Sequence, residues 1–235
     1  MNELEIKMSL ISYLSEKHSQ EADTKFIKEL FVENFNRRAD VVMVNGHLSA
    51  YEIKSDLDNL LRLEGQLDSF IRHFEYVTVV CTKMHLEAVR EKLEQDAWLK
   101  VGICLVDGKK ISSIRRPKKN ALKVDYWLSH LPVDELRQML RENAVSPKGN
   151  RAELVAAASE HISKKPVREF VLRYFKRRDG KIQAMKKKGS QAESRLPKVS
   201  INDELIRNYE KSSINVQVKP RVPRQMTLLR EGAYG

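Results

Sequence analysis

The sequence predicts an α/β protein with a mixed central sheet flanked by helices, followed by a small C-terminal helical unit and a basic tail. Short apolar runs and period-two segments, typical of strands, alternate with helical periodicity over residues 1–117. Residues 118–175 show helical periodicity only. Beyond Lys176 the chain is basic and poor in apolar periodicity, which is typical of disorder. We therefore divide the chain into an α/β domain (1–117), a helical unit (118–175) and a largely disordered tail (176–235).

The elements of the α/β domain follow from the spacing of apolar residues and from turn signals. The "NG" at 45–46 is a typical hairpin turn, and "DGK" after Val106 is another. The predicted elements, in chain order, are a helix (2–18), a strand (25–35), a β-hairpin (38–44 with 48–55), a helix (58–74), a strand (76–81), a helix (85–95) and two strands within 101–114.

The helical unit is predicted to contain a helical hairpin and a third helix. Pro132 opens the first helix, and Pro147 and Gly149 interrupt the chain after it. Asn150 is a plausible N-cap for a second helix, because Glu153 three residues later completes a capping box. The third helix is predicted over residues 167–175.

Composition limits the classes of protein that this chain can belong to. Apolar residues make up 41% and charged residues 32%, and no apolar run is long enough to cross a bilayer. The N-terminus lacks the order of a secretory signal. Cys81 and Cys104 lie in apolar runs without zinc-ligand spacing, which favours buried thiols in a reduced, cytoplasmic compartment.

The net charge of +11 is distributed unevenly along the chain. Residues 1–117 carry 17 Lys+Arg and 19 Asp+Glu, residues 118–175 carry 11 and 7, and residues 176–235 carry 15 and 6. A basic segment attached to a near-neutral domain is typical of nucleic-acid binding, although a solubilising tail has the same composition.

The predicted hairpin carries three charged residues that could share one face. Glu52 and Lys54 point the same way because residues two apart in a strand share a face. A two-residue turn at Asn45-Gly46 would set Asp40 opposite Tyr51 and place the acids on opposite faces. A three-residue connection over 45–47, or a bulge, would set Asp40 opposite Glu52.

In that second register the two carboxylates suit Mg²⁺, and a lysine beside them could act on a metal-bound water. An Asp and a Glu-x-Lys on strands are, however, more often an ordinary solvated face.

The segment "RADVVMVNGHLSAYEIKSD" resembles the PD-(D/E)xK nuclease superfamily, the restriction-endonuclease-like fold with an αβββαβ core. Together with "LDNLLRLEGQLDSF" it is similar to an uncharacterised bacterial and phage branch of that superfamily, over about residues 25–110. The resemblance implies a Mg²⁺-dependent deoxyribonuclease, with endonuclease more favoured than exonuclease and Mn²⁺ able to substitute. Because cutting both strands needs two sites, it also favours a homodimer.

The resemblance assigns roles residue by residue. Asp40 and Glu52 become metal ligands, and Lys54 becomes the residue that assists the attacking water. Glu29 matches an additional acidic ligand, with Glu33 as a weaker alternative.

Gln66 matches a catalytic-motif glutamine on the helix that follows. Phe70 stands where many such nucleases have Tyr, and Ala39 stands where they have Pro.

The segment "LPVDELRQMLRENAVSPKGNRAELVAAA" resembles the SAP-type helical hairpin, a small DNA-binding module. Lys148, Asn150 and Arg151 would then contact DNA phosphates at the start of the second helix. The basic run Lys186, Lys187 and Lys188 would add non-specific affinity. A generic helical hairpin is the alternative.

The function expected from these patterns is therefore hydrolysis of DNA phosphodiester bonds. Two alternatives stay open: a non-catalytic DNA-binding or scaffolding protein on the same fold, and a nuclease directed at RNA.

Overall fold

The computed structural model describes residues 1–21, 23–33 and 36–189, with side chains described as far as Arg178. Residues Met1–Lys186 form one compact unit. Residues 190–235, which make up most of the predicted tail, lie outside the described residues.

A six-stranded mixed sheet forms the centre of the unit, and this confirms the predicted α/β class. The strands lie in sequence order, with parallel pairing of β3 to β4 and of β4 to β5 and antiparallel pairing elsewhere. The strands are β1 (Lys25–Val32), β2 (Arg37–Val44), β3 (Leu48–Lys54), β4 (Tyr76–Thr82), β5 (Gly102–Asp107) and β6 (Lys110–Arg115).

Helices cover both faces of the sheet, as the alternation of strands and helices requires. The helix α1 (Glu3–Lys17) buries Ile6, Leu10 and Leu14 against one face. The opposite face holds a larger core that includes residues of α2 (Leu63–His73) and α3 (Leu86–Lys92). The near-continuous burial of β3 and β4 follows from this two-sided cover.

The helix predicted over 58–74 begins later than expected. Residues 56–62 form a turn-rich segment, because Asp58 Oδ2 accepts hydrogen bonds from Ser55 N (2.8 Å) and Ser55 Oγ (2.6 Å). Such a side-chain-to-backbone contact competes with helical hydrogen bonding. Leu61 consequently remains 88% exposed instead of joining the apolar face of the helix.

The C-terminal helices are α4 (Val124–Ser129), α5 (Val133–Glu142), α6 (Arg151–His161) and α7 (Lys164–Gly189). The predicted hairpin of α5 and α6 is confirmed, and α4 is an additional helix. The third helix, α7, is longer at both ends than the predicted 167–175. The largely disordered character of the tail stays a prediction.

An ion-pair network attaches α7 to the sheet. Glu75, just before β4, is 2% exposed and accepts hydrogen bonds from Arg168 Nε at 2.9 Å and Arg168 Nη2 at 3.0 Å. Lys119 Nζ lies 2.9 Å from the same carboxylate, and the backbone N–H of Leu48 donates to it at 3.2 Å. These contacts and a shared core join residues on both sides of position 117. The division into domains at 1–117, 118–175 and 176–235 stays a prediction.

Candidate functional site

The hairpin of β2 and β3 adopts the register that brings the predicted acids together. Val41 pairs with Tyr51 and Val44 with Leu48, so the connection has three residues, 45–47. Inside it, the N–H of Asn45 donates to the carbonyl oxygen of His47 at 3.3 Å. The same register, continued by one pair, sets Asp40 opposite Glu52.

Asp40 lies where the regular pairing of β2 with β3 ends. The residue is 7% exposed, and its Oδ2 accepts the backbone N–H of Ile53 at 2.7 Å. The side chain thus takes the place of a main-chain acceptor for β3. Satisfying a buried N–H in this way avoids a cost of about 1–3 kcal/mol.

Glu52, Lys54 and Gln66 form a hydrogen-bonded row from β3 to α2. Lys54 Nζ donates to Glu52 Oε1 at 2.8 Å and to Gln66 Oε1 at 3.0 Å. The other Glu52 oxygen, Oε2, is buried and has no hydrogen-bond partner among the described residues. The Glu52 carboxylate therefore has one buried oxygen without a partner at hydrogen-bond geometry, although Gln66 also lowers the pKa of this carboxyl group by hydrogen bonding.

Burial dominates the protonation of both acids. Burial, together with the negative charge of Asp40, raises the pKa of Glu52 to about 7, against the lowering effect of Lys54. Burial also raises the pKa of Asp40, while the N–H of Ile53 acts in the opposite direction. Near neutral pH the pair accordingly holds less negative charge than two exposed carboxylates would.

These residues line a small pocket of about 270 Å³, which we call the acidic pocket. Its wall also includes residues that the sequence analysis did not identify: Glu3, Arg37, Arg38 and Arg62. Arg37 and Arg38 stand in β2, separated from Asp40 only by Ala39, so the sequence "RRAD" could have indicated cations beside the acid. Glu3 and Arg62 come from α1 and from the irregular segment before α2, and no local pattern connects them to the hairpin.

Glu29 and Glu33 do not line the acidic pocket. Both have a positive φ, of 57° and 52°. Glu29 contacts Lys7 Nζ at 3.2 Å and Arg38 Nη1 at 3.3 Å, and Glu33 pairs with Arg72 at 2.9 Å. Within residues 1–21, 23–33 and 36–189, no group of three or more His, Cys, Asp or Glu side chains is arranged to hold a metal ion.

The residues predicted to contact DNA at the start of α6 have mainly structural contacts. The side chain of Asn150 accepts the N–H groups of Ala152 (2.9 Å) and Glu153 (3.1 Å), which completes the predicted capping box. Arg151 donates to the carbonyl oxygens of Ser129, the last residue of α4, and of Leu131 just beyond it. Lys148 is exposed, and no ion pair to it occurs in the described part of the chain. The side chains of Lys186, Lys187 and Lys188 lie outside the described residues.

A mixed α/β fold with a charged pocket at one hairpin does not by itself define a class of protein, but comparison with known sequences does. The family described as Bacteriophage P4 protein cII matches residues 1–203. This chain belongs to that family.

One relative is protein cII of Enterobacteria phage P4. It is 33% identical over 181 residues, which cover 76% of this chain and 68% of the relative. Among solved structures, the SPO1766 protein of unknown function from Silicibacter pomeroyi matches 46% of this chain and 68% of its own, at 15% identity and a TM-score of 0.34.

Family membership overturns the identification as a PD-(D/E)xK nuclease with a SAP-like module. That identification is wrong, and so are the predicted nuclease and hydrolase functions and the predicted deoxyribonuclease activity, because the matching family is that of a phage cII protein. The physical reason for the error is that strand alternation and register alone can place an acid opposite Glu-x-Lys. In this protein Asp40 accepts a backbone N–H and Lys54 joins β3 to α2, so both residues have structural contacts.

One further result concerns location. None of the helices in the described residues combines the length and the apolar character needed to span a membrane.

Proposed function

We propose that this protein is a DNA-binding protein that engages the phosphate backbone through the exposed surface of its C-terminal helices. The observation that supports this most strongly is a set of cations on α5–α7 and their turn that no acid neutralises. These residues are exposed and have no ion pair within residues 132–178, where the side chains are described: Arg141, Lys148, Lys164 and Lys165.

Most acids of the same helices are already engaged, and the exceptions are Glu169, which is exposed, and Glu160, whose ion-pair contact in the described part of the chain is to His161. Glu135 pairs with Arg177, and Glu142 pairs with Arg173 at 2.8 Å. Glu153 closes the capping box of α6. The remaining cations therefore carry a net positive potential, which attracts a polyanion and releases its counterions on binding.

Fluorescence anisotropy with a short duplex DNA over a series of salt concentrations tests the proposal. Each phosphate contact contributes about 0.9 to the slope of log affinity against log salt. The triple variant Lys148→Ala, Lys164→Ala, Lys165→Ala should lower that slope by about 2 to 3 units.

The matched control removes three exposed lysines of the α/β part, through Lys83→Ala, Lys109→Ala and Lys110→Ala. It should leave the slope close to that of the wild type. Absence of binding at low salt, or equal losses in the two triple variants, would refute the proposal. A duplex RNA of the same sequence tests selectivity between the two polymers. A protein that contacts only phosphates should bind both duplexes.

A divalent cation at the acidic pocket is a second proposal, and the unpartnered Glu52 Oε2 favours it. Asp40 and Glu52 would supply two carboxylates, and water would complete the octahedron that Mg²⁺ prefers. Mn²⁺ has similar ligand preferences and should substitute. The role assigned to the ion is charge neutralisation between β2 and β3.

Binding of an ion to the folded state raises the melting temperature. Mg²⁺ or Mn²⁺ should therefore stabilise the wild type but not Glu52→Gln, and more strongly above pH 7 than below it, because protons compete for Glu52. Equal stabilisation of both proteins would contradict a site at this pocket. The homodimer stays a prediction, and analytical ultracentrifugation of the full chain would test it.

A further inference from the structure

A second concave surface lies away from the acidic pocket, and we call it the basic cleft. It has a volume of about 670 Å³ and lies between the end of α2, the segment that precedes β5, and residues 118–126, which form the approach to α4 and its first turn. Its cationic wall consists of Arg72, Lys100, Lys118 and Lys123.

The cations of the basic cleft greatly outweigh its acids. Asp96 is the one acidic residue in the lining, and Arg72 is already paired with Glu33 at 2.9 Å. The three lysines are exposed, and none of them makes an ion pair with any residue whose side chain the structure describes. A concave surface with uncompensated charge concentrates anions, because low-dielectric walls focus the field.

The lysines are attached to a backbone that hydrogen bonds hold in place. The N–H of Lys118 donates to the carbonyl oxygen of Lys100 at 2.8 Å. Asn120 donates its N–H to Glu75 O at 2.8 Å and its side-chain Nδ2 to Phe74 O at 3.1 Å. A fixed frame reduces the ordering cost of gathering several cations around one ligand.

The rest of the lining is apolar and aromatic. Ile71, Leu99 and Leu122 contribute to it, and Leu99 is 49% exposed. Tyr126 is half-buried, and its ring packs edge-on against His73 with the centroids 4.9 Å apart. A site for phosphate alone needs no such wall, whereas a flat base stacks or packs on it.

We propose that the basic cleft binds a nucleotide, with the phosphate groups at Lys100, Lys118 and Lys123 and the base against Tyr126 and Leu99. The nucleotide can be free in solution or can be an unpaired unit at the end of a DNA strand, since the recognised chemistry is the same. This inference goes beyond the proposed function, because duplex binding by α5–α7 involves no pocket for a base.

Calorimetric titration of the full chain tests the inference, with three probes: deoxyadenosine diphosphate, inorganic pyrophosphate and a 5′-phosphorylated pentathymidine. The diphosphate should bind about tenfold more tightly than pyrophosphate, the factor expected from packing one base on an aromatic wall. Tighter binding of the diphosphate than of pyrophosphate supports the inference. Tighter binding of pentathymidine supports it only where Lys118→Ala with Lys123→Ala weakens that binding, because the cations of α5–α7 also attract an oligonucleotide.

Variants separate the phosphate and base contributions. Lys118→Ala with Lys123→Ala should weaken every probe about tenfold, since exposed charge pairs each contribute a few-fold. Tyr126→Ala should remove the preference over pyrophosphate, while Tyr126→Phe should retain it. The matched control, Lys109→Ala with Lys110→Ala, removes the same charge outside the cleft and should leave all three affinities unchanged.

Three results would overturn the inference: no binding of either nucleotide probe at millimolar concentration, equal affinity for pyrophosphate, or equal weakening in the control. The lysine variants alter exposed side chains only, so their thermal unfolding should match that of the wild type and keep the test valid if Tyr126→Ala does not fold. Duplex affinity measured on the same proteins separates failure of the cleft from failure of the proposed function.

Discussion

Replacing Glu52 with glutamine should change how the stability of this protein depends on pH. The substitution keeps the shape of the side chain, and its amide oxygen can still accept from Lys54 Nζ, which donates to Glu52 Oε1 at 2.8 Å in the wild type. What it removes is a buried group that titrates.

The sign and size of the effect follow from the raised pKa. The ordinary pKa of 4.5 rises to about 7 in the folded protein, chiefly through burial. The folded state therefore holds this proton more tightly than the unfolded state does. The resulting contribution to stability is fully present below pH 4.5 and is lost as the pH rises through about 7. At 1.36 kcal/mol for each pKa unit, the loss is up to about 3 kcal/mol.

Chemical denaturation of the wild type and of Glu52→Gln across this pH range measures the effect. The free energy of unfolding of the wild type should fall by up to about 3 kcal/mol relative to that of the variant. The control, Glu87→Gln, changes a glutamate whose side chain is 80% exposed and should show no comparable trend. If the wild type and Glu52→Gln gave parallel curves, Glu52 would have the same pKa in both states and the argument from burial would fail.

Two other substitutions test how the helical part is held together. Arg168→Met should destabilise the protein by about 3 kcal/mol, because it removes the bidentate partner of the buried Glu75 carboxylate. The control, Arg173→Met, breaks an ion pair on the surface and should cost less than about 1 kcal/mol. Equal costs in denaturant melts would refute the role assigned to the network. Asn150→Ala should lower the free energy of unfolding by about 1 kcal/mol through loss of the α6 cap, while Asn150→Asp should leave it nearly unchanged. A loss of DNA affinity at unchanged stability would show instead that Asn150 contacts DNA.

The sequence predicted most of the sheet because each strand has a clear local signature. The hairpin register was limited to two alternatives, and the structure selects the three-residue connection. Apolar periodicity failed at two helices, where it does not report local side-chain contacts or short helices. The contact of Asp58 with Ser55 delays α2, and α4 is short, with only Trp127 and Leu128 fully buried.

Part of the site was also predictable, because strand alternation determines which side chains share a face. Glu52 and Lys54 share a strand face, which their spacing alone predicts. Gln66, on the next helix, was assigned only through the family resemblance, and the structure places it within hydrogen-bond distance of Lys54. Glu3 lines the same pocket from α1, far from the hairpin in sequence, and no residue pattern around Glu3 predicts that position. The prediction that Glu29 joins the acids did not anticipate its contacts with Lys7 and Arg38.

The class of protein was the harder inference, because the same three side chains satisfy two different requirements. A buried strand end needs an acceptor for the N–H of Ile53, and Asp40 supplies it. A buried glutamate needs a cation, and Lys54 supplies it while also connecting β3 to α2. An acid, a glutamate and a lysine in this spacing are therefore explained by the stability of the hairpin alone. One atom remains outside that explanation, the buried Oε2 of Glu52, and it makes proton uptake and cation binding at this carboxylate the measurements that separate a purely structural triad from a binding site.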